Sequence, residues 1–322
     1  MHPILYRDAS FYAENIDFFK RGSLFMSQAK ISFIISMLIF GSIGLFVRNI
    51  PFTASQIALV RGLVGSLLLF AASFVFTQRL SWKRIRPNLW LLVASGIALG
   101  MNWIFLFQAY HYTTISNATI CYYFAPIFVM FLSPLILKER LKMINVLCIL
   151  SAMAGMLCIA GIGGGAAGTN NILGIGYGLT AAGFYAIVVM INKFLKNISG
   201  IESSFMQLLI SAFSLFPYVL LNDGFQISTA SGSSIGLLIV VGVIHTGVAY
   251  LIYFSALRKL SSQTIAAFSY IDPISAILMS SIFLHEKMTL LQIFGGILIL
   301  GAAFLNEMAG TKKELEPVKE SV

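Results

Sequence analysis

Three ionisable side chains stand where ionisable groups are rare. Asp272 lies about eight residues into an apolar stretch and directly precedes Pro273. At 1.5 Å per residue it sits about 12 Å inside that stretch, where a carboxylate costs about 2.5–3.5 kcal/mol if the surroundings are lipid. It could serve as a proton site or hold a cationic group of a substrate; the structural alternative is a protonated acid bonded to a neighbouring helix. His245 falls midway through another apolar run and could share a proton with Asp272, since imidazole titrates near neutrality; the alternative is a polar packing residue. Arg61, seven residues into a third run, could grip a substrate carboxylate through two parallel N–H bonds. Equally, it could tie helices together or extend its head out to water.

The surrounding elements are apolar helices. Of 322 residues 58% are hydrophobic and 10% are charged, too few polar side chains to clothe a water-facing surface. Apolar runs bounded by charge, Pro and Gly clusters predict ten spans, at residues 31–47, 54–77, 89–108, 115–137, 144–162, 172–192, 203–221, 235–255, 264–284 and 290–307. Of the 21 Lys and Arg, 18 fall on the side of the N-terminus. Only Arg48 and Lys287 fall on the other, and Arg61 lies within a span. That bias puts both termini in the cytoplasm of a multi-pass protein of the plasma (inner) membrane. Segment 1–28 is charged, without the apolar run of a signal peptide; Met26 offers a second start. The expected division is a cytoplasmic segment 1–28, helical halves 29–162 and 172–307, an extracytoplasmic link 163–171 and a cytoplasmic tail 308–322.

Several chemistries are excluded. Cys121, Cys148 and Cys158 lie in apolar runs with no CxxC pair or nearby His, so neither disulfides nor a metal site is expected. The glycine-rich run 161–168 lacks the Gly-Lys-Ser/Thr ending of a phosphate loop, which argues against ATP drive. No cofactor is expected. The net charge of +9 is spread over short loops, so nucleic acid is not an expected partner. The lipid bilayer and a small molecule are.

The chain also repeats itself at an offset of 147 residues: Gly100 maps onto Gly247, Phe107 onto Phe254, Ala109 onto Ala256, Tyr123 onto Tyr270, Pro126 onto Pro273 and Glu139 onto Glu286. Five spans separate the copies, an odd number, so the two run in opposite senses across the membrane. The expected fold is therefore an all-α polytopic membrane protein with ten transmembrane helices arranged as two inverted five-helix repeats. Inverted repeats characterise carriers that bind cargo near the midplane and rock one half against the other. Pro126 and Pro273 are expected to bend their helices. Glu139 and Glu286 mark helix ends, with capping or gating contacts to neighbouring loops. Gly96 with Gly100, Ser151 with Gly155 and Gly174 with Gly178 allow close helix approach, which would suit packing or a homodimer.

The run from Phe107 through Gln-Ala-Tyr-His-Tyr-Thr-Thr-Ile-Ser-Asn to Ala118, Pro126, Leu137-Lys-Glu139-Arg-Leu, and the second copy with Pro273 and Glu286 resemble the paired repeats of EamA-type carriers of the drug/metabolite transporter superfamily. The resemblance spans residues 31–307. It implies a cavity lined by spans one, three, four, six, eight and nine, and export of amino acids or other small metabolites. It puts Trp103, Phe107, Tyr122, Tyr123, Tyr185, Tyr250, Tyr253 and Tyr270 on cavity helices, with Asn102 and Asn192 as polar candidates. It also favours a framework role for Arg61, since the second helix of such carriers is usually peripheral.

The expected function is therefore secondary active export of small metabolites, such as amino acids or related compounds, by alternating access with proton exchange. Efflux of drugs or cationic compounds is the alternative. An intramembrane enzyme would need a clustered set of acids, a metal site or a nucleophile–base pair, and none is visible in the sequence.

Overall fold

The computed structural model describes residues 28–75, 80–136, 143–160, 170–224, 231–257, 260 and 268–314. Among them regular structure is helical throughout: α1 (Gln28–Arg48), α2 (Ala54–Val75), α3 (Leu89–Tyr112), α4 (Ile115–Tyr122), α5 (Ala125–Ile136), α6 (Met143–Ala160), α7 (Asn171–Asn192), α8 (Gly200–Tyr218), α9 (Gly232–Gly242), α10 (Ala249–Leu257), α11 (Ile271–Phe283) and α12 (Leu290–Glu314). Among the described residues seven helical stretches are long and apolar enough to cross a membrane, and three shorter apolar helices, within α6, α11 and α12, accompany them.

Helix starts are written locally. Thr53-x-x-Gln56, Ser199-x-x-Glu202 and Thr289-x-x-Gln292 each form a reciprocal cap. The backbone N–H of Gln56, Glu202 and Gln292 donates to the hydroxyl three residues back, and the Gln or Glu side chain accepts from the backbone N–H of Thr53, Ser199 or Thr289. The Thr114 hydroxyl caps α4 by accepting from Asn117 N–H at 3.1 Å.

Two departures from straight spans matter. The stretch expected as one helix over 115–137 is interrupted at Tyr123 and Phe124, just ahead of Pro126. Proline lacks the N–H that would bond back into the preceding turn and restricts the residue before it. The repeat-related Tyr270, three residues before Pro273, is likewise a non-helical step at the start of α11. The second departure is a π-helical stretch, Val243–Val248, between α9 and α10. There the Thr246 hydroxyl donates to the carbonyl of Val241, five residues back, at 3.3 Å. Such widened turns recur at functional sites.

Helix α3 packs on α7 and α8, α2 on α8 and on the π stretch, α4 on α7 and α11, and α6 on α12. Helix α1 approaches α11 so closely at Gly41 that an added Cβ would lie 2.6 Å from the carbonyl oxygen of Asp272. Gly44 of α1 meets Ile115 of α4. One apolar core runs through α1–α4 and α7–α9, and a second joins α4–α7, α11 and α12. The outer faces carry exposed Leu67, Phe74, Leu135, Leu157, Ile172, Leu221, Leu290 and Ile297, a shell matched to lipid rather than water.

Polar ties fasten the two ends. At one, Arg48 pairs with Glu286, whose carboxylate also accepts from the backbone N–H groups of Ile115 (3.0 Å) and Ser116 (3.3 Å). Beside it Asp223 accepts from the hydroxyls of Thr53 (2.9 Å) and Ser55. At the other end Glu202, 1% exposed, accepts from Arg84 Nη2 at 2.8 Å, Arg84 Nε at 3.0 Å and Ser81 N–H at 2.9 Å. Asn88 there exchanges two hydrogen bonds with the backbone of Lys196.

Candidate functional site

The interruptions ahead of the two prolines set the centre of the site. Because α4 stops at Tyr122 and α5 begins at Ala125, Tyr123 is released from helical geometry and its hydroxyl donates to Asp272 Oδ2 at 2.6 Å. Asp272 is the second residue of α11. The repeat-related tyrosines, Tyr123 and Tyr270, face each other with ring centroids 6.4 Å apart. Thus the sharpest sequence candidate, Asp272, is held by a side chain from the other copy of the repeat. Pro126 and Pro273 lie just beyond these steps, as the second residue of α5 and the third of α11.

A wall of tyrosines continues from this pair. Tyr122 packs on Tyr123 (5.9 Å) and on Tyr185 of α7 (5.5 Å), while Tyr250 of α10 meets Phe40 of α1 edge-on at 5.6 Å. Tyr253 joins Phe33 and Phe40. Tyr122, Tyr123, Tyr250 and Asp272 are each partly exposed, and Tyr185 is 39% exposed, although five different helical segments converge on them. Aromatic faces and one carboxylate suit a ligand with an apolar body and a polar end. Tyr270 is more enclosed and packs on Phe304 of α12 at 5.4 Å.

Arg61 takes a second position in the interior. It is 4% exposed, so it does not extend out to water. Its guanidinium lies 4.1 Å over the ring of Trp103 and 5.3 Å from that of Phe107, and Nε donates to the Thr246 hydroxyl at 2.9 Å. The π stretch places Thr246 there, and α3 supplies both rings.

His245 packs on α1, and among the described residues no hydrogen bond joins it to Asp272. Its Nε2 is 3.0 Å from the Ser42 hydroxyl of α1, and its ring packs on Phe46 at 4.7 Å. Asn102 is fully buried between α3 and α7, donating to the Ala181 carbonyl at 2.7 Å, one helical turn before Tyr185. Asn192 accepts from Gln207 at 2.6 Å. Glu286 forms the end tie described above; Glu139, its repeat partner, lies outside the described residues. Cys121, Cys148 and Cys158 are free thiols.

Sequence reading missed four participants. Glu202 is announced by the Ser199-x-x-Glu202 cap, a local signal that could have found it. Arg84 as its partner, and Thr246 and Ser42 as neighbours of Arg61 and His245, have no such signal, because each depends on which helices meet.

A bundle of apolar helices enclosing a carboxylate, a cation and an aromatic wall is the build of a membrane transporter. A model of the EamA-like transporter family matches residues 28–161 and again residues 172–308, and the chain belongs to that family. A protein of Bacillus subtilis (strain 168) named uncharacterized transporter YxxF is 31% identical over 280 residues, covering 87% of this chain and 89% of that one. An uncharacterized transporter of Archaeoglobus fulgidus is 26% identical over 235 residues, covering 72% of this chain and 82% of its own length. One solved crystal structure superposes with a TM-score of 0.61 at 14% identity, covering 87% of this chain and 98% of that chain, a likeness of fold. The protein is therefore a multi-pass membrane transporter and not an enzyme.

Proposed function

We propose that this protein is a secondary carrier that exports small metabolites, amino acids and related compounds among them, by alternating access with proton exchange at Asp272. The observation that carries the reading is the Tyr123–Asp272 hydrogen bond, 2.6 Å long, which joins the interruption in one copy of the repeat to the start of α11 in the other. A carboxylate bridging two halves is loaded in one arrangement and released in the other when the halves rock.

The helix pairing supports two inverted five-helix halves, 29–162 and 172–307, connected by 163–171. Under a shift of five spans, α3 on α7 becomes α10 beside α1, and α4 on α7 becomes α11 on α1. Helix α2 on α8, α6 on α12 and α4 on α11 each map onto themselves. Charge bias supports cytoplasmic termini in the inner membrane. On that orientation the Arg48–Glu286 tie, which clamps the ends of α1, α4 and α11, closes the extracytoplasmic side.

A second reading, efflux of cationic compounds, draws on the same carboxylate and tyrosine wall. Both are tested by efflux from proteoliposomes loaded with a pooled metabolite extract and followed by mass spectrometry, with and without a proton gradient. The expected result is gradient-dependent loss of a few chemically related metabolites, abolished by Asp272→Asn. Flux of unrelated cations would favour the second reading, and gradient dependence surviving in Asp272→Asn would refute proton exchange at this residue.

A further inference from the structure

We propose that Arg61 is the cargo's anion subsite, a guanidinium stacked on Trp103 that receives a carboxylate of the transported molecule. The inference rests on the carrier reading and adds the chemical class of the cargo.

Buried cations in membrane proteins are expected to pair with acids or backbone carbonyls. Arg61 does neither among the described residues. Of its five N–H donors one bonds to a described residue, Nε to the neutral hydroxyl of Thr246. The ion pairs formed by described residues, Arg48–Glu286 and Arg84–Glu202, lie at the ends of the bundle. No carboxylate of a described residue bonds to the guanidinium.

The geometry then selects the ligand. Trp103 and Phe107 cover the guanidinium against α3 and hold the plane still, as cation–π stacking does. Thr246 occupies Nε. The terminal nitrogens remain, and they match the two oxygens of a carboxylate. A pre-stacked guanidinium loses little further freedom on binding. Tyr250 of α10 follows the π stretch that carries Thr246, and Tyr122 directly precedes Tyr123, the donor to Asp272; both are partly exposed. Tyr110 of α3 stacks on Phe107 beside the guanidinium, with ring centroids 6.3 Å apart. A molecule with its carboxylate on Arg61 and its apolar body along the tyrosines would direct its other end towards Asp272.

A purely structural cation would make the same contacts with α3 and the π stretch, so the test reads cargo chemistry. Wild type, Arg61→Lys and Arg61→Met are reconstituted with the pooled extract and with the same extract after its carboxylates are converted to neutral hydroxyethylamides. Expected is wild-type efflux of carboxylate-bearing species from the native extract and none of their amides. Arg61→Met should lower carboxylate efflux about tenfold or more, with partial retention in Arg61→Lys. The wild-type comparison of acids with amides needs no variant to fold. Efflux of amides equal to that of acids, efflux confined to species without an anionic group, or undiminished carboxylate efflux in Arg61→Met overturns the assignment while leaving the carrier reading standing. Absence of any protein-dependent efflux overturns the carrier reading and this inference with it.

Discussion

The clamp at the Arg48 end gives the sharpest conformational test. Glu286 accepts from two backbone N–H groups at the start of α4, at 3.0 and 3.3 Å, and pairs with Arg48 at the end of α1, while itself following α11. Glu286→Gln keeps the size and one acceptor oxygen but removes the charge. Hydrogen bonds to an ionised acceptor contribute about 1.5–3 kcal/mol against about 0.5–1.5 for neutral ones. The clamp is partly open to water on its Arg48 side, where that side chain is 40% exposed, so the ion pair itself adds little. The net weakening is about 1–2 kcal/mol. If the clamp exists only while this side is closed, the closed-to-open ratio falls about 5–30-fold. The assay is labelling of Tyr185→Cys, at a partly exposed wall position, in a background lacking the three native cysteines. A membrane-impermeant thiol reagent is added from the side of the Arg48–Glu286 tie, and the labelling rate should rise by that factor. An unchanged rate in a folded Glu286→Gln protein would refute the argument that this tie holds the closed state.

Two further outcomes follow from packing and capping. Gly41→Ala places a Cβ 2.6 Å from the Asp272 carbonyl oxygen, forcing α1 off α11; the expected cost is about 1–3 kcal/mol, read as a lowered Tm in detergent together with lost transport, and a wild-type Tm would show that α1 and α11 do not pack this way. Glu202→Ala removes one arm of the Ser199 capping box and the partner of Arg84. The lost arm alone should cost about 0.5–1.5 kcal/mol, and a melting temperature within about 1 °C of wild type would contradict it.

Helix ends show how far local reading reaches. Spans expected at 54–77, 89–108, 172–192 and 290–307 begin within a residue of helices α2, α3, α7 and α12, because polar caps and apolar runs act over a few neighbouring residues. In the span expected at 115–137 Pro126 predicts a bend, and the structure has an interruption at Tyr123 and Phe124. Apolar character continues across Tyr123 and Phe124, and hydropathy does not register a change of backbone direction. The π stretch is invisible for the same reason: one extra residue in a turn leaves the composition of Val243–Val248 unaltered.

What the sequence determined by itself is therefore the membrane setting, the charge asymmetry, the duplicated pattern and the identity of Asp272 and Arg61 as costly intruders, since each follows from transfer energies of residues or from matching along one chain. What only the tertiary structure decided is their company. Asp272 could have bonded to any neighbour, and the break ahead of Pro126 hands it Tyr123. His245 could have shared a proton with Asp272, and its ring turns to Ser42 and Phe46. Arg61 is carried by a helix that resemblance would put at the periphery, and it stacks on Trp103 in the interior. In each case the partner comes from another helix, and the contact is set by crossing geometry and by the turn where a helix breaks or widens, quantities that no single segment of sequence contains.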